Sequence, residues 1–237
     1  MCFSAEADLV AGVVVGVVAV DTMRHVRRPA ELPIALIPAV FAVHQFVEVL
    51  VWWSLEDRVS AEVGQRAVWV YLVLAFGVLP VLAPMAIAAL EPPPRIRRMG
   101  VFVALGCGAS IALMYAVLMH PVHASIRGHH IVYHATIEHN DLVLPAYVVA
   151  TCGAMLVSRH ATMRIWGLLN AVAVSMLVWL DQSAVVSLWC VWAAATSVAI
   201  AVHLRLADRA SHVRRDLLGQ EVDVVEVGEV HDLEVDP

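Results

Sequence analysis

Long apolar stretches separated by short polar segments make up most of the chain. The most informative stretch, Leu32–Leu55, is about 24 residues long, enough to cross a ~30 Å hydrocarbon core at 1.5 Å per residue. Six further stretches have the same character, at residues 8–23, 67–90, 99–119, 142–158, 165–180 and 184–206. The pattern predicts an all-α protein, a polytopic bundle of seven transmembrane helices within residues 1–218.

Arginine alternates between the predicted connections. The first, third and fifth connections and the C-terminal flank hold three, three, two and four arginines, whereas the second, fourth and sixth hold two, one and none. The positive-inside rule then predicts an N-terminus outside and a C-terminus in the cytoplasm. We therefore expect a multi-pass protein of the inner or plasma membrane. A re-entrant pair made of the last two helices is the main competing topology.

Composition supports a membrane protein and excludes some chemistry. Hydrophobic residues make up 61% of the chain and its mean hydropathy is +0.79, well above an ordinary soluble domain. The chain has no lysine, which excludes Schiff-base chemistry such as a retinal linkage. Its four cysteines show no CxxC spacing, so neither a disulfide framework nor a thiolate zinc site is expected. Residues 219–237 are acidic and lack aromatic side chains, which predicts a disordered cytoplasmic tail.

Polar residues interrupt Leu32–Leu55 on one helix face. His44, Gln45 and Glu48 are three or four positions apart, and Trp52 follows one turn later. An ionisable group at membrane depth costs roughly 2.5–3.5 kcal/mol, so it is retained for a partner, a cavity or a reaction. We therefore predict that Glu48 and His44 are catalytic and that Gln45 and Trp52 bind a cofactor or ligand. The alternative is a hydrogen-bonded pair that only holds this helix against its neighbours.

The connection at residues 120–141 contains six histidines. If the part after Gly128 is helical, His130, His134 and Glu138 share one face, and if it is extended, the two histidines still share one. Two imidazoles beside a carboxylate suit Zn²⁺ or Cu²⁺. A pH-responsive or structural role and an ordinary solvated loop are the alternatives.

The predicted topology places the polar stripe and the histidine-rich connection at the same outer end. Glu48 lies about seven residues, or ~10 Å, from that end of its helix. We predict one outward-facing site in which His130, His134 and Glu48 bind a metal, with Zn and Cu as the candidates. Tyr133 and Trp189 are further candidate cofactor-binding residues, the latter at nearly the depth of Glu48.

Four pieces of the sequence are familiar in combination. They are Met1-Cys2-Phe3-Ser4-Ala5, His44-Gln45-x-x-Glu48-x-x-x-Trp52, Gly128-His129-His130-Ile131-x-Tyr133 and Ser187-Leu188-Trp189-Cys190-Val191-Trp192-Ala193-Ala194. Together they resemble an uncharacterised family of bacterial multi-pass membrane proteins, grouped as a domain of unknown function. The resemblance spans most of the chain but not the acidic tail. It implies a bacterial membrane protein and supplies no activity or cofactor.

Three functions fit these patterns. The first is a metal-dependent membrane enzyme acting on a small molecule or lipid at the outer leaflet. The second is a proton-coupled transporter, with Glu48 as the protonated group and Gly77, Pro80 and Pro84 as hinges. The third is a membrane subunit that binds a metal or small molecule without turnover. We expect the lipid bilayer as a partner and no nucleic acid, and the oligomeric state stays open.

Overall fold

The computed structural model describes residues 4–128, 130–137, 139–180, 196–198, 200–202 and 205. Most of these residues are helical, and two short strands form a hairpin. Two helical rods each contain a π-helical segment, one at Val73–Val78 and one at Val149–Gly153. In chain order the elements are α1 (Ala5–Arg24), a 3₁₀ turn (Pro29–Glu31), α2 (Leu32–Leu55), α3 (Ala61–Leu72), α4 (Leu79–Leu90), α5 (Pro93–Met119), β1 (His123–Arg127), β2 (His130–His134), α6 (Asn140–Val148), α7 (Ala154–Val157) and α8 (Ala161–Leu180).

Four helical segments among the described residues are long and apolar enough to cross a membrane. They are Pro29–Leu55, Ala61–Leu90, Pro93–Met119 and Asn140–Val157. This supports the prediction of a membrane protein at the level of helix length and composition. The predicted seventh helix lies mostly outside the described residues, although those described within it are helical. Trp189 and the tail at 219–237 also lie outside them, so the seven-span count and the domain division stay predictions.

Neighbouring helical rods run in opposite directions, as the contacts of Gly12 with Phe46 and of Gly16 with Ala42 show for α1 and α2, so the bundle has two ends. The hairpin, the start of α1 and the end of α2 lie at one end, which we call the hairpin end. The turns after α1, α4 and α7 lie at the other, which we call the arginine end because it holds Arg24, Arg27, Arg28, Arg95, Arg97, Arg98, Arg159 and Arg164. Each end has its own apolar core. Val15, Ile34, Phe41, Leu79, Ile87, Met99 and Met163 are among the core residues towards the arginine end, and Val49, Trp52, Val68, Tyr71, Leu72, Val117 and Ile131 are among those towards the hairpin end.

A close approach of α1 to α2 organises the hairpin end. A Cβ atom on Gly12 would lie 3.0 Å from the ring of Phe46 and 3.2 Å from Cβ of Gln45. Gly16, one turn further along the same face, would place its Cβ 3.9 Å from Ala42. Small residues at this four-residue spacing let membrane helices pack backbone to backbone. The contact brings the first turn of α1 against the polar stripe of α2.

The π-helical segment Val73–Val78 precedes Pro80, near the predicted hinge. Proline lacks an N–H group, so carbonyl groups in the turn before it lose their usual helical donor. Side chains on neighbouring helices supply donors instead, with the Tyr147 hydroxyl 3.2 Å from the Ala75 oxygen and the Ser110 hydroxyl 2.8 Å from the Gly77 oxygen. These hydrogen bonds fasten the irregular turn to α5 and α6.

The hairpin departs from the all-α prediction and decides between the two alternatives for the histidine-rich connection. The segment after Gly128 is a strand, so the helical arrangement of His130 and His134 is wrong, and Glu138 lies outside the described residues. Gly128 has φ +64°, a conformation that favours glycine and allows the tight turn. The strands pair antiparallel, with His123 opposite His134 and Arg127 opposite His130.

Candidate functional site

The predicted polar stripe of α2 is buried. Glu48 is 0% exposed, Gln45 3%, Trp52 4% and His44 6%. The bounds of α2 coincide with the apolar stretch read from the sequence. These side chains share one face of α2, and that face points into the bundle. Their polar groups can therefore contact side chains of neighbouring helices.

Asp8 joins this stripe from the neighbouring helix. It lies in the first turn of α1 and is 0% exposed. The Trp52 indole Nε1 donates a hydrogen bond to Asp8 Oδ2 at 2.9 Å. The turn itself is capped by the Ser4 hydroxyl, which accepts from the Ala7 N–H at 3.3 Å. The bundle therefore holds a second buried carboxylate next to the stripe.

Two stacked tyrosines close the site from the side of α3 and the hairpin. The Tyr71 ring meets the His44 ring edge-on, with centroids 3.9 Å apart, and stacks on Tyr133 at 4.0 Å. The Tyr133 hydroxyl donates to Glu48 Oε1 at 3.4 Å. The hairpin therefore contacts Glu48 through the hydroxyl group of Tyr133.

The two faces of the hairpin have different surroundings. Ile131 and Tyr133 pack on the core at the hairpin end, and alternation along a strand places His130 and His134 on the opposite face. On that face the His134 and His123 rings stack with centroids 4.5 Å apart, and Ser125 Oγ and His134 Nε2 share a hydrogen bond of 2.8 Å. The predicted histidines thus face away from the tyrosine that contacts Glu48.

We call the buried group the acid–aromatic cluster: Asp8, His44, Gln45, Glu48, Trp52, Tyr71 and Tyr133. Among its polar atoms, His44 Nε2 and Gln45 Oε1 have no hydrogen-bond partner in the described part of the chain. A buried polar atom without a partner is destabilising by about 1–3 kcal/mol, so its retention indicates a role. The arrangement offers two carboxylates for proton transfer and two free polar atoms for binding.

A family match covers the whole cluster. The sequence profile of a family of unknown function, DUF6629, matches residues 1–215. The chain belongs to DUF6629. The match confirms the predicted membership of a family without an assigned function, and it ends before the acidic tail at 219–237. No curated protein and no solved structure matches the chain significantly.

The DUF6629 chain brings together five of the predicted site residues: Glu48, His44, Gln45, Trp52 and Tyr133. The metal-ligand role of His130, His134 and Glu48 stays a prediction. Within the described ranges, no group of three or more histidine, cysteine, aspartate or glutamate residues could hold a metal ion.

Sequence reasoning missed two members of the cluster in this DUF6629 chain, Asp8 and Tyr71. Asp8 was the first residue of the predicted first helix, where an acid reads as an ordinary helix start. The signal that identifies it is its spacing, because Asp8, Gly12 and Gly16 lie four apart on the face that meets α2. Tyr71 carries no such signal, since it joins the cluster through its contacts with His44 on α2 and Tyr133 on the hairpin.

Proposed function

We propose that this chain is a multi-pass membrane protein whose acid–aromatic cluster is an acid–base site for a small polar ligand entering from the hairpin end. One observation supports this above the others. Two fully buried carboxylates on adjacent helices share a cluster with His44 Nε2 and Gln45 Oε1, and neither of these two atoms has a hydrogen-bond partner among the described residues. Buried ionisable groups cluster at functional sites, where their protons can be exchanged with a ligand.

The contacts suggest a role for each group. Glu48 exchanges the proton, and the Tyr133 hydroxyl beside Oε1 orients that carboxyl group. His44 Nε2 and Gln45 Oε1 bind the ligand, the amide oxygen as an acceptor. Asp8, held by Trp52, fixes α1 against α2 and keeps the cluster in register. Because every α2 member is at most 6% exposed, a ligand larger than a water or an ion needs the hairpin to move.

We further propose the membrane placement predicted above, with seven spans, the hairpin end outside and the tail in the cytoplasm of a cell with an inner or plasma membrane. The four apolar helices support it, and so does the arginine distribution, with eight at the arginine end against Arg58, Arg66 and Arg127 at the hairpin end. Most of the described side chains buried towards the arginine end are apolar, with Asn170 and Thr196 as polar exceptions, which counts against an easy proton path and against the transporter alternative. Access from one side fits an enzyme or a binding protein better.

Infrared difference spectroscopy on purified protein in lipid vesicles tests the acid–base site. A protonated carboxyl group has a C=O stretch that a carboxylate lacks, so a step from mildly acidic to mildly alkaline pH reports buried acids that release protons. We expect a carboxyl band that disappears in Glu48→Gln. Glu62→Gln is the control, because Glu62 is exposed and paired with Arg66, and it leaves the band unchanged. The proposal would be refuted if the wild-type protein and Glu48→Gln gave the same spectrum in the carboxyl region.

The metal-dependent enzyme remains a second candidate because of His130. Like His44 Nε2, its Nε2 is buried and has no hydrogen-bond partner within the described ranges. An unpartnered imidazole nitrogen is a potential metal ligand. Metal analysis of purified protein separates the candidates. Zinc or copper at one equivalent, lost in His44→Ala and His130→Ala but kept in His25→Ala, would support the metal site. Less than a tenth of an equivalent of metal in the wild-type protein would contradict the metal site and leave the metal-free acid–base site as the proposed function.

A further inference from the structure

A pocket at the arginine end lies between the first turn of α5 and the turn that joins α7 to α8. Its volume is about 240 Å³, and it opens at the surface. Arg95, Arg98 and Arg164 line it together with Met99, Leu156, Val157 and Ser158. The pocket is at the opposite end of the bundle from the acid–aromatic cluster, so the two can be tested separately.

Three guanidinium groups face this one pocket from two helices. Arg95 and Arg98 are three positions apart in the first turns of α5, which puts them on one face, and Arg164 comes from the first turn of α8. None of the three forms an ion pair with a carboxylate in the described part of the chain. Other arginines do, namely Arg28 with Glu31, Arg66 with Glu62 and Arg205 with Asp21. Like charges gathered without counter-charges repel one another, so an anion would stabilise the arrangement.

A buried acid, Glu91, is bonded to the pocket wall. Glu91 Oε1 accepts hydrogen bonds from the Ser158 hydroxyl at 2.6 Å and from the Arg159 N–H at 2.8 Å. This buried carboxylate ties the turn after α7 to the turn after α4, and so fixes the two walls relative to each other.

The apolar part of the pocket wall indicates what kind of anion fits. Leu156 and Val157 are exposed and are the last residues of the apolar segment Asn140–Val157. The pocket therefore lies where an apolar helix surface ends and arginines begin, the level at which lipid phosphates meet acyl chains. Arginine binds phosphate oxygens in a forked, bidentate geometry.

We propose that this pocket binds the phosphate group of an anionic membrane lipid. Arg95, Arg98 and Arg164 hold the phosphate, and the acyl chains lie along Leu156 and Val157. The site does not depend on the chemistry of the acid–aromatic cluster.

Lipid-dependent thermal unfolding of the full chain in detergent tests the proposal at fixed salt. The probes are phosphatidylglycerol, phosphatidylcholine and inorganic phosphate, each titrated into wild-type protein. We expect phosphatidylglycerol to raise the unfolding temperature saturably, and the other two to have little effect. Equal stabilisation by phosphatidylcholine would overturn the preference for an anionic lipid, and equal stabilisation by inorganic phosphate would show a free-anion site instead.

Single substitutions locate the binding. Arg95→Gln, Arg98→Gln and Arg164→Gln should each weaken phosphatidylglycerol binding about tenfold, since each removes charge-assisted hydrogen bonds. Arg97→Gln is the matched control, because Arg97 belongs to the same turn but does not line the pocket. If Arg97→Gln weakens binding as much as Arg95→Gln, the lipid senses general surface charge and the pocket is not its site.

Discussion

The Trp52 indole donates a 2.9 Å hydrogen bond to the carboxylate of Asp8, 44 residues earlier in the chain. Both side chains are buried at the hairpin end, one on α1 and one on α2. A hydrogen bond to a charged or ionisable acceptor in a low-dielectric interior is stronger than one at the surface. This contact sets the register between two helices that otherwise meet through small apolar residues.

Trp52→Phe should destabilise the protein while keeping most of the ring packing. Removing the indole N–H leaves the buried Asp8 carboxylate short of one donor, at a cost of about 1–3 kcal/mol. Unfolding in mixed detergent measures the change. Trp53→Phe is the control, because Trp53 is only half-buried and lies against Arg58. Equal effects of the two substitutions would mean that the hydrogen bond to Asp8 contributes nothing measurable.

Gly12→Ala should weaken the contact between α1 and α2. The added Cβ would lie 3.0 Å from the Phe46 ring and 3.2 Å from Cβ of Gln45, so the ring or the helix must shift by a few tenths of an ångström. We expect a loss of about 1–3 kcal/mol despite the better helix propensity of alanine. Gly16→Ala is the matched control on the same face, since its Cβ meets Ala42 at an ordinary 3.9 Å. We expect Gly16→Ala to be neutral or slightly stabilising, and a larger loss there than at Gly12 would contradict the packing described.

The Tyr133 side chain should hold the hairpin on the bundle. Tyr133→Ala removes the stack on Tyr71 and the hydroxyl beside Glu48, so the hairpin should open more often. Trypsin cleavage after the exposed Arg127 measures this opening, and we expect it to become faster. Val132→Ala alters the opposite face of the same strand and should leave the rate near that of the wild type. Equal cleavage rates for the wild type, Tyr133→Ala and Val132→Ala would show that Tyr133 does not hold the hairpin on the bundle.

Tyr133→Phe separates the hydroxyl from the ring. Keeping the stack but losing the 3.4 Å hydrogen bond to Glu48 should change stability by about 1 kcal/mol or less. The carboxyl stretch assigned to Glu48 should nevertheless shift, because its frequency depends on hydrogen bonding to that group. An unshifted band would place the Tyr133 hydroxyl outside the proton-exchanging site.

Cysteine labelling tests the membrane placement. In a background without the four native cysteines, an impermeant thiol reagent applied from outside should label Ser125→Cys and miss Ser211→Cys. After the membrane is opened, both should react, which controls for accessibility. The reverse pattern in intact cells would invert the topology and put the acid–aromatic cluster on the cytoplasmic side.

Helix bounds were predicted accurately where the helix ends with its apolar stretch, and less accurately where the helix extends beyond that stretch. The bounds of α2 were predicted correctly, since Glu31 and Glu56 flank a predominantly apolar stretch. The start of α5 at Pro93 came earlier than the predicted 99, because hydropathy marks only the apolar segment, while proline is favoured in a first helical turn. Four polar or aromatic members of the cluster on α2 were likewise predictable from helix spacing alone.

The rest of the site depended on contacts between distant segments. The sequence around Ile131 and Tyr133 left helix and strand open, and the turn at Gly128 settled the matter in favour of a strand. In a strand, His130 and His134 lie on the face opposite Tyr133, and it is Tyr133 that contacts Glu48. Asp8 entered the site through the close contact of α1 with α2, which the sequence indicates only by the four-residue spacing of Asp8, Gly12 and Gly16.

The π-helical segments have a consequence for changes in chain length. A π turn accommodates one residue more than an α turn, so the helix on either side keeps its facing directions. Deleting one residue within Val73–Val78 would restore a regular α-helix and leave Leu72 and Leu79 directed at the core, at the expense of the Tyr147 hydrogen bond. The same deletion in the middle of α5 would rotate every following residue by about 100° and turn its buried face outward. Loss of a single residue should therefore be tolerated in this segment and in Val149–Gly153, and not in the regular helices between them.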